Sequence, residues 1–304
     1  MIFPVSGVET YVWLPPLVSF VVSFFTSMAG VSGAFVLLPF QMSVLGFVSP
    51  SVSPTNLVYN IVSIPSGVYR YLREGRMVWP LTWVVVLGTL PGVVIGGFIR
   101  LNWLPNPKPF KAFVGCVLLY IGLRLVMDVL KTRRATKAAK EPEPKPGNNS
   151  GQFRVRILEF SLTRLSYRFQ DQDYTCGTHS IFIMSCIVGV VGGVYGIGGG
   201  AIIAPFFVAI YGLPVHTVAG AALMGTFITS IAGVAFYQVI APFYGSMVVA
   251  PDWLLGVLFG IGGLCGMYLG ARCQRFVPAN YIKVMLSALL LWVAGRYILN
   301  YILS

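Results

Sequence analysis

Hydrophobic residues occur in long stretches along this chain, and short polar or glycine-rich breaks separate one stretch from the next. Apolar runs of about 20 residues are long enough to cross, as helices, a bilayer hydrocarbon core of roughly 30 Å. The predicted stretches, five in each half, lie at 12–29, 34–48, 55–72, 78–100, 110–130, 178–194, 201–212, 217–240, 252–271 and 280–303. The pattern therefore predicts an all-α fold, a polytopic helical membrane protein.

Glycines split the first pair of stretches in each half. The split lies at Gly30 to Gly33 in the first half and at Gly196 to Gly200 in the second, 166 residues later. The repeat extends beyond the splits, since Gly30, Gly33, Pro39, Phe40, Gly46 and Gly67 recur at that spacing as Gly196, Gly199, Pro205, Phe206, Gly212 and Gly233. A helix that breaks inside a bilayer exposes backbone groups that need a substrate, an ion or water. Because paired breaks point to the central site of a transporter, the first hypothesis is a membrane transporter.

Lys and Arg clusters indicate the orientation, because basic residues near the ends of spans are retained on the cytoplasmic side. If each split pair is a hairpin that enters and returns, the basic groups at 70–76, 131–145 and 272–283 all lie inside. Three cations then fall on the wrong side, namely Arg100, Lys108 and Lys111. A single-crossing model moves the 272–283 group outward as well, so the hairpin model is preferred. It gives two inverted repeats, each with a broken or re-entrant first helical hairpin plus three spans.

The repeat divides the chain into a first transmembrane repeat at 1–130, a basic cytoplasmic linker and insert at 131–177, and a second transmembrane repeat at 178–304. The insert starts with a segment, 131–151, that is basic and then rich in Pro and Gly, so a flexible linker is expected there. Apolar and polar residues partly alternate over 153–169, which is compatible with a short hairpin or an amphipathic surface segment.

Composition narrows the class of protein further. Hydrophobic residues make up 56% of the chain and charged residues 10%, which leaves no soluble catalytic domain. The net charge of +12 is attributed to topology control, because no basic and aromatic module for nucleic acid is found. The expected partners are membrane lipid and a small anionic substrate. No Lys or Arg precedes Trp13, so the first stretch lacks the basic start of a cleaved signal peptide and is expected to stay in the mature protein.

Acidic residues avoid the centres of the predicted spans. All nine lie outside the spans or near span ends, where Asp128 and Asp252 are found. Cation and proton pathways through membranes usually rely on intramembrane Asp or Glu, so this distribution argues against a cation pump. No cofactor and no metal site is expected.

The centre of the predicted bundle contains small residues, backbone amides and hydroxyls instead. A half-helix begins after Gly196 to Gly200, and the N–H groups of its first turn lack intrahelical acceptors and carry partial positive charge. Such a terminus attracts an anion. The candidate substrate-binding residues are Gly30, Ser32, Gly33, Asn60, Gly196, Gly198, Gly199, Gly200, Thr226, Thr229 and Ser230. One alternative stays open, that the glycines serve only tight helix crossing.

Polar residues in the third stretch match between the two halves. Asn60 aligns with Thr226 and Ser63 with Thr229 at the same spacing, and Asn56 is a further position on this face. These side chains could supply uncharged donors to a tetrahedral oxyanion. Each is equally able to bond the backbone of a neighbouring helix instead. Weaker candidates on the same reasoning are Gln41 and Gln238.

These residues resemble the sulfite exporter TauE/SafE family of membrane permeases. The resemblance rests on the glycine run 196–200 with Pro205 and Gly212, on Ala221-Ala222 and Thr229-Ser230, and on the weaker first copy at Gly30 to Gly46. It covers nearly all of the membrane part. It implies transport of small sulfur-containing or organic anions, such as sulfite or sulfonates, by a protein of a prokaryotic inner (plasma) membrane. The first copy departs from the pattern at Ala29 to Gly33, and the insert at 131–177 is not part of it.

Together these features predict a secondary transporter that moves a small anion by alternating access around the two broken hairpins. An anion channel is a second class, since it uses the same helix dipoles. A membrane-embedded enzyme is a third class, but no Ser/His, Cys/His or metal-ligand constellation can be assembled, so no catalytic residue is proposed. The direction of transport, the coupling ion and the oligomeric state, a homo-oligomer included, stay open.

Overall fold

The computed structural model describes residues 1–304 except 29–31, 74, 76, 139–154, 162, 170–171, 246, 274–278 and 304. Six helices are long and apolar enough to cross a membrane, at Trp79–Asn102, Pro107–Leu130, Thr178–Tyr195, Thr217–Phe243, Trp253–Gly270 and Tyr281–Ile302. Two shorter apolar helices lie at Leu14–Met28 and Ala34–Ser43. The prediction of a polytopic helical membrane protein is confirmed.

Helices dominate both halves of the chain. The first half contains α1 (Leu14–Met28), α2 (Ala34–Ser43), α3 (Val52–Ser63), α4 (Pro65–Arg73), α5 (Trp79–Asn102) and α6 (Pro107–Ala138). The second half contains α7 (Thr178–Tyr195), α8 (Ile203–Tyr211), α9 (Val215–Ile240), α10 (Trp253–Cys273) and α11 (Ala279–Ile302). Three strands lie between the halves, β1 (Arg156–Phe160), β2 (Arg164–Phe169) and β3 (Gln172–Gly177). The short helices α2 and α8 each follow a glycine split, as expected for a broken span.

The third stretch of the first half differs from the single span that the sequence predicts over 55–72. The structure has two helices there, α3 and α4, which meet at Ile64. Pro65 explains the interruption, because proline has no N–H to donate and disfavours helical geometry in the residue before it. In the second half the corresponding helix, α9, is continuous, and Ile231 stands at the position equivalent to Pro65.

Both split pairs return to the end of the bundle from which they enter. In the second half the Ser180 hydroxyl in the first turn of α7 lies 2.6 Å from the Tyr211 hydroxyl in the last turn of α8. In the first half the segments that flank α1 and α2 both bond the loop before α10: the Ser6 hydroxyl donates to Asp252 (2.8 Å), and the Ser51 hydroxyl donates to the Ala250 carbonyl. These contacts support the hairpin model.

The contacts between the halves follow the sequence repeat. Helix α9 runs antiparallel to α3 and α4, with Leu57 against Gly233 and Leu223 against Gly67. A shift of 166 residues maps Leu57 onto Leu223 and Gly67 onto Gly233, so it exchanges the two contacts. Two inverted repeats require this arrangement, in which corresponding helices cross in opposite directions. The inverted repeat itself stays a prediction.

Glycine stripes let two helix pairs approach closely. On α10, Gly266 packs against the Phe20 carbonyl of α1, where an added Cβ would lie 2.2 Å from the oxygen. On α5, Gly92 packs in the same way against the Cys186 carbonyl of α7, at 2.4 Å. Small residues are used in this way at membrane helix crossings. Tight packing is therefore the role of these span glycines, which are separate from the glycines of the splits.

The insert between the halves is partly ordered into a sheet. Helix α6 continues to Ala138, past the end predicted at 130, and the remainder of the predicted flexible linker, 139–151, lies outside the described residues. Strands β1, β2 and β3 form an antiparallel sheet in that order. Of the two alternatives left open for 153–169, the structure has the hairpin, formed by β1 and β2, and it adds a third strand. The sheet is anchored to α9 by the Tyr167 and Thr217 hydroxyls, 2.9 Å apart. Burial in the sheet raises the pKa of the Cys176 thiol to about 11.

Candidate functional site

One side chain joins the two broken hairpins at the centre of the bundle. The amide nitrogen of Asn56, on α3, donates to the Ala34 carbonyl at 3.2 Å and to the Gly196 carbonyl at 2.9 Å. A second bridge runs from the Tyr195 hydroxyl to the Phe35 carbonyl at 2.8 Å. Asn56 and Tyr195 are both fully buried. The structure therefore brings the two glycine splits into direct contact.

The backbone of the second split requires glycine at several positions. Gly196 and Gly198 have φ values of +81° and +84°, in the left-handed region that residues with a Cβ rarely adopt. Gly200 faces α9 so closely that an added Cβ would lie 2.2 Å from the Ala222 carbonyl oxygen. No side chain can be placed at these positions without moving α3 or α9, which supply the neighbouring atoms.

Two asparagines of α3 set the direction of the peptide groups in this split. Asn56 donates to the Gly196 carbonyl, and Asn60 donates to the Ile197 carbonyl at 2.9 Å. The peptide bond is planar and trans, so the Gly198 N–H points opposite to the Ile197 carbonyl. The Gly198 amide is thereby directed away from α3. On α9, Thr226 and Ser230 lie beside Gly198.

Hydrogen-bond donors remain unused in the second split, Gly196 to Gly200, which forms the tip of the second hairpin. The Gly199 amide donates to the Thr229 hydroxyl at 3.0 Å. The amides of Gly198 and Gly200 are buried and donate to no group among the residues that the structure describes. The buried hydroxyl of Ser230 also lacks a partner there. Two amides in the turn before α8 and one hydroxyl of α9 form the kind of donor set that binds an oxyanion.

The predicted threonine donors are committed to their own helix. Thr226 donates to the Ala222 carbonyl at 2.8 Å and Thr229 to the Gly225 carbonyl at 2.6 Å, both on α9. Such bonds to the preceding turn are common for threonine inside a membrane helix. The Thr229 oxygen accepts from Gly199, so this residue positions the tip and does not supply a proton to a substrate.

The described part of the first split, Ser32 and Gly33, lies beside polar side chains. Gly30 lies outside the described residues. The Ser32 hydroxyl accepts from the Ala34 amide at 3.3 Å, and this side chain is 8% exposed. Gly33 faces the Tyr59 hydroxyl, which lies 2.8 Å from the Ser23 hydroxyl. Sequence reasoning missed Ser23 and Tyr59, and their only signal is that they are polar residues within apolar stretches.

Gln41 is closer to the centre than the sequence indicated. Its side-chain nitrogen donates to the Asn56 oxygen at 3.3 Å, and its own oxygen has no partner among the described residues. The Asn60 side-chain oxygen is likewise unpaired. Gln238, the other weak candidate, is exposed on α9 and takes no part in the site.

Carboxylates stay away from this centre in the part of the chain that the structure describes. Asp252 is 1% exposed, but it lies before α10, where it accepts from the Ser6 amide (3.0 Å), the Ser6 hydroxyl and the Leu255 amide (3.1 Å). No group of three or more His, Cys, Asp or Glu residues that could hold a metal occurs within the described ranges. The electrostatic field at the tip is therefore dominated by peptide dipoles, which favour negative charge.

A cavity of about 890 Å³ lies elsewhere, between α2, α6 and α11. Its cationic lining comes from Lys108, Lys111 and Arg296. The tip itself is packed closed, since Asn56 and Tyr195 hold the two splits against each other.

Comparison with known proteins gives two matches. The family model described as Sulfite exporter TauE/SafE matches residues 16–297. The chain is 23% identical over 290 residues to the probable membrane transporter protein YunE of Bacillus subtilis (strain 168), and this alignment covers 91% of the chain and 94% of that protein. No solved structure matches the chain.

Proposed function

Because the chain belongs to the Sulfite exporter TauE/SafE family, whose members it matches over residues 16–297, we propose that it is a secondary transporter for a small anion. Membership in the family and the similarity to a probable membrane transporter make it an integral, multi-pass membrane transport protein. The proposed substrate is sulfite, a sulfonate or a related sulfur-containing organic anion. The proposed mechanism is alternating access around the two hairpin tips.

The donor set at the second tip carries this proposal. The buried amides of Gly198 and Gly200 and the buried hydroxyl of Ser230 have no partner among the described residues. A buried donor without an acceptor costs about 1–3 kcal/mol, so a bound oxyanion that accepts from all three would stabilise the tip.

The distribution of charge supports an anion over a cation as the substrate. A cation would need carboxylates or free carbonyl oxygens at membrane depth. Two carbonyls of the second split, those of Gly196 and Ile197, already accept from Asn56 and Asn60. The unpaired amides of Gly198 and Gly200 and the unpaired Ser230 hydroxyl can donate, and donors bind anions.

Contact between the hairpins supports a carrier over a channel. Asn56 and Tyr195 bridge the two splits and close the centre of the bundle. A substrate reaches the tip only if these bridges open. Movement of one hairpin relative to the other would open the tip toward one end of the bundle at a time, which is alternating access.

Transport in liposomes tests the proposal. Purified protein reconstituted into proteoliposomes should take up sulfite with saturable kinetics, and sulfite inside the vesicles should accelerate uptake. Gly199→Leu should abolish this flux while the protein stays folded in the membrane, because an added Cβ already meets Thr89 at 2.6 Å. The matched control is Gly295→Ala, since nothing lies within 4 Å of the added Cβ there.

Each outcome of that experiment separates the candidates. Non-saturable flux without acceleration by internal anion would favour a channel. Chemical conversion of the anion without translocation would favour an enzyme. A thermal-shift screen against sulfite, sulfate, thiosulfate, taurine and sulfoacetate identifies the anion, because a ligand that binds only the native state raises its stability. If none of these anions changes the melting temperature and none is transported, the proposal is wrong.

A further inference from the structure

Arg100 is a fully buried cation near the end of α5. Its side chain is 0% exposed, and it is the most deeply buried Lys or Arg among the described residues. One guanidinium nitrogen donates to the Leu104 carbonyl, and the group stacks 3.7 Å from the centre of the Phe110 ring. Its Nε and second terminal nitrogen have no hydrogen-bond partner there. Arginine near the end of a span normally extends to water, so a buried side chain with two unused donors requires an explanation.

Further unpaired hydroxyls connect Arg100 to the second hairpin. Tyr237 of α9 packs in one buried cluster with Leu101, the residue that follows Arg100, and its hydroxyl is buried and has no partner among the described residues. Tyr237 also lies beside Ser53, although the two hydroxyls do not complete a hydrogen bond. Ser53, at the start of α3, packs directly against Gly196. A line of buried donors therefore runs from the hairpin tip to Arg100.

Nothing in the described protein neutralises this cation. The buried acid Asp252 accepts its hydrogen bonds from Ser6 and Leu255, and Arg100 forms no ion pair with any described residue. The topology rule does not explain Arg100 either, because it lies on the side opposite the basic clusters. A desolvated cation without a counter-ion is destabilising, and an anion beside it would remove that cost.

We propose that Arg100, Tyr237 and Ser53 form a second oxyanion subsite between the tip of the second hairpin and the end of the bundle that carries the 241–251 loop. The ligand class is a sulfite or sulfonate group, which has several acceptor oxygens for the guanidinium and the hydroxyls. This subsite rests on the proposed anion transport. It holds the anion after it leaves the Gly198 and Gly200 amides, or before it reaches them.

The test compares sulfite transport by Arg100→Gln and wild type in proteoliposomes of known orientation. Loss of one charged hydrogen-bonding partner should raise KM for sulfite about 10- to 100-fold from the side that carries the 241–251 loop. When sulfite is supplied on the opposite side of the membrane, its KM in Arg100→Gln should change less than about 2-fold. Arg100→Lys should fall between wild type and Arg100→Gln, because lysine keeps the charge but not the planar fork. Lys111→Gln is the control for a general loss of positive charge at this end, and it should leave KM unchanged.

Two variants with smaller changes keep the subsite testable if Arg100→Gln does not fold. Tyr237→Phe and Ser53→Ala keep the shape of the site and should each raise KM about 2- to 10-fold from the same side. An unchanged KM in Arg100→Gln, or in both milder variants if Arg100→Gln does not fold, would overturn the subsite. If wild type does not transport sulfite, the proposed function fails for that anion. Thermal shift then tests the subsite. Sulfite must raise the melting temperature of wild type more than that of Tyr237→Phe. Equal shifts in the two proteins, or no shift in either, would reject the subsite.

Discussion

The two broken hairpins share a sequence repeat but differ in the chemistry that surrounds their tips. Around the first split lie polar side chains, among them Ser23, Thr26, Gln41, Asn56 and Tyr59. The residues 166 positions later are Gly189, Gly192, Phe207, Ala222 and Gly225. The first copy thus provides side-chain hydrogen bonds, and the second provides backbone that other groups approach closely.

This difference shows that the two halves contribute different groups to the centre of the bundle. Asn56 and Asn60 of the first half hold carbonyls of the second split, which directs the Gly198 amide toward α9. At the equivalent positions the second half has Ala222 and Thr226, which carry no side-chain amide, and Thr226 donates to its own helix. We therefore expect unequal effects when equivalent positions are mutated.

Gly200→Ala should have the largest effect, because it gives the second copy the residue that the first copy has at Ala34. The added Cβ would lie 2.2 Å from the Ala222 carbonyl oxygen. Overpacking of this kind costs about 1–3 kcal/mol, and displacement of the tip should reduce anion flux roughly 100-fold. Flux in proteoliposomes and the melting temperature of the purified protein measure the two effects. The same substitution at Gly295 should change neither, and equal flux in both variants would contradict the close packing of the second tip.

A weaker but more specific effect is expected at the aligned pair Asn60 and Thr226. Asn60→Leu leaves the Ile197 carbonyl buried without its donor, which should destabilise the protein by about 1–3 kcal/mol. Thr226→Val removes only a bond to its own helix, so about 1 kcal/mol or less is expected. Denaturation midpoints of the two variants measure the difference. If Thr226→Val loses more stability than Asn60→Leu, the inference that the first half supplies the more important hydrogen bond at this aligned pair is wrong.

Ser230→Ala separates binding from structure at the second tip. The hydroxyl has no partner among the described residues, so its removal should not lower the melting temperature. If the hydroxyl binds the anion, KM for sulfite should rise about 2- to 10-fold. Ser185→Ala is the matched control, because its hydroxyl is also buried and unpaired but lies at the packing of α7 against α5. Identical KM values for these variants and wild type would remove Ser230 from the site.

The smallest effect is expected in the sheet, which precedes only the second hairpin. Arg168 donates to Asp173 at 2.6 and 2.9 Å, and this hydrogen bonding lowers the pKa of the Asp173 carboxyl. A lowered pKa in the folded state means that the pair stabilises above the usual carboxyl pKa, and that this contribution is lost as pH falls through the lowered value. Melting temperatures of wild type and Asp173→Asn should therefore differ slightly at neutral pH and converge in acid, while anion flux stays equal. Reduced flux in Asp173→Asn would give the sheet a role in transport.

Sequence reasoning identified the elements whose signals are local. The length of each apolar stretch predicts a membrane helix, and the glycine runs mark the splits before α2 and α8. The interruption between α3 and α4 was missed although Pro65 signals it, because the apolar stretch at 55–72 continues on both sides of the proline. Strand β3 was missed because its alternation is short and polar.

Partners across the bundle were beyond such reasoning. Asn56 and Gly196 are 140 positions apart, and no local pattern predicts that one donates to the other. The same holds for Arg100, which the topology rule identifies as misplaced but cannot show to be buried.

Hydrophobic length, glycine spacing and the placement of charge were enough to establish a helical membrane protein with two broken hairpins, because membrane insertion depends on segments that act largely one at a time. Which donors remain free at the tip was decided only when the halves packed together. A buried polar group takes the partner that the fold brings within hydrogen-bond distance, and that partner belongs to another helix far away in the chain.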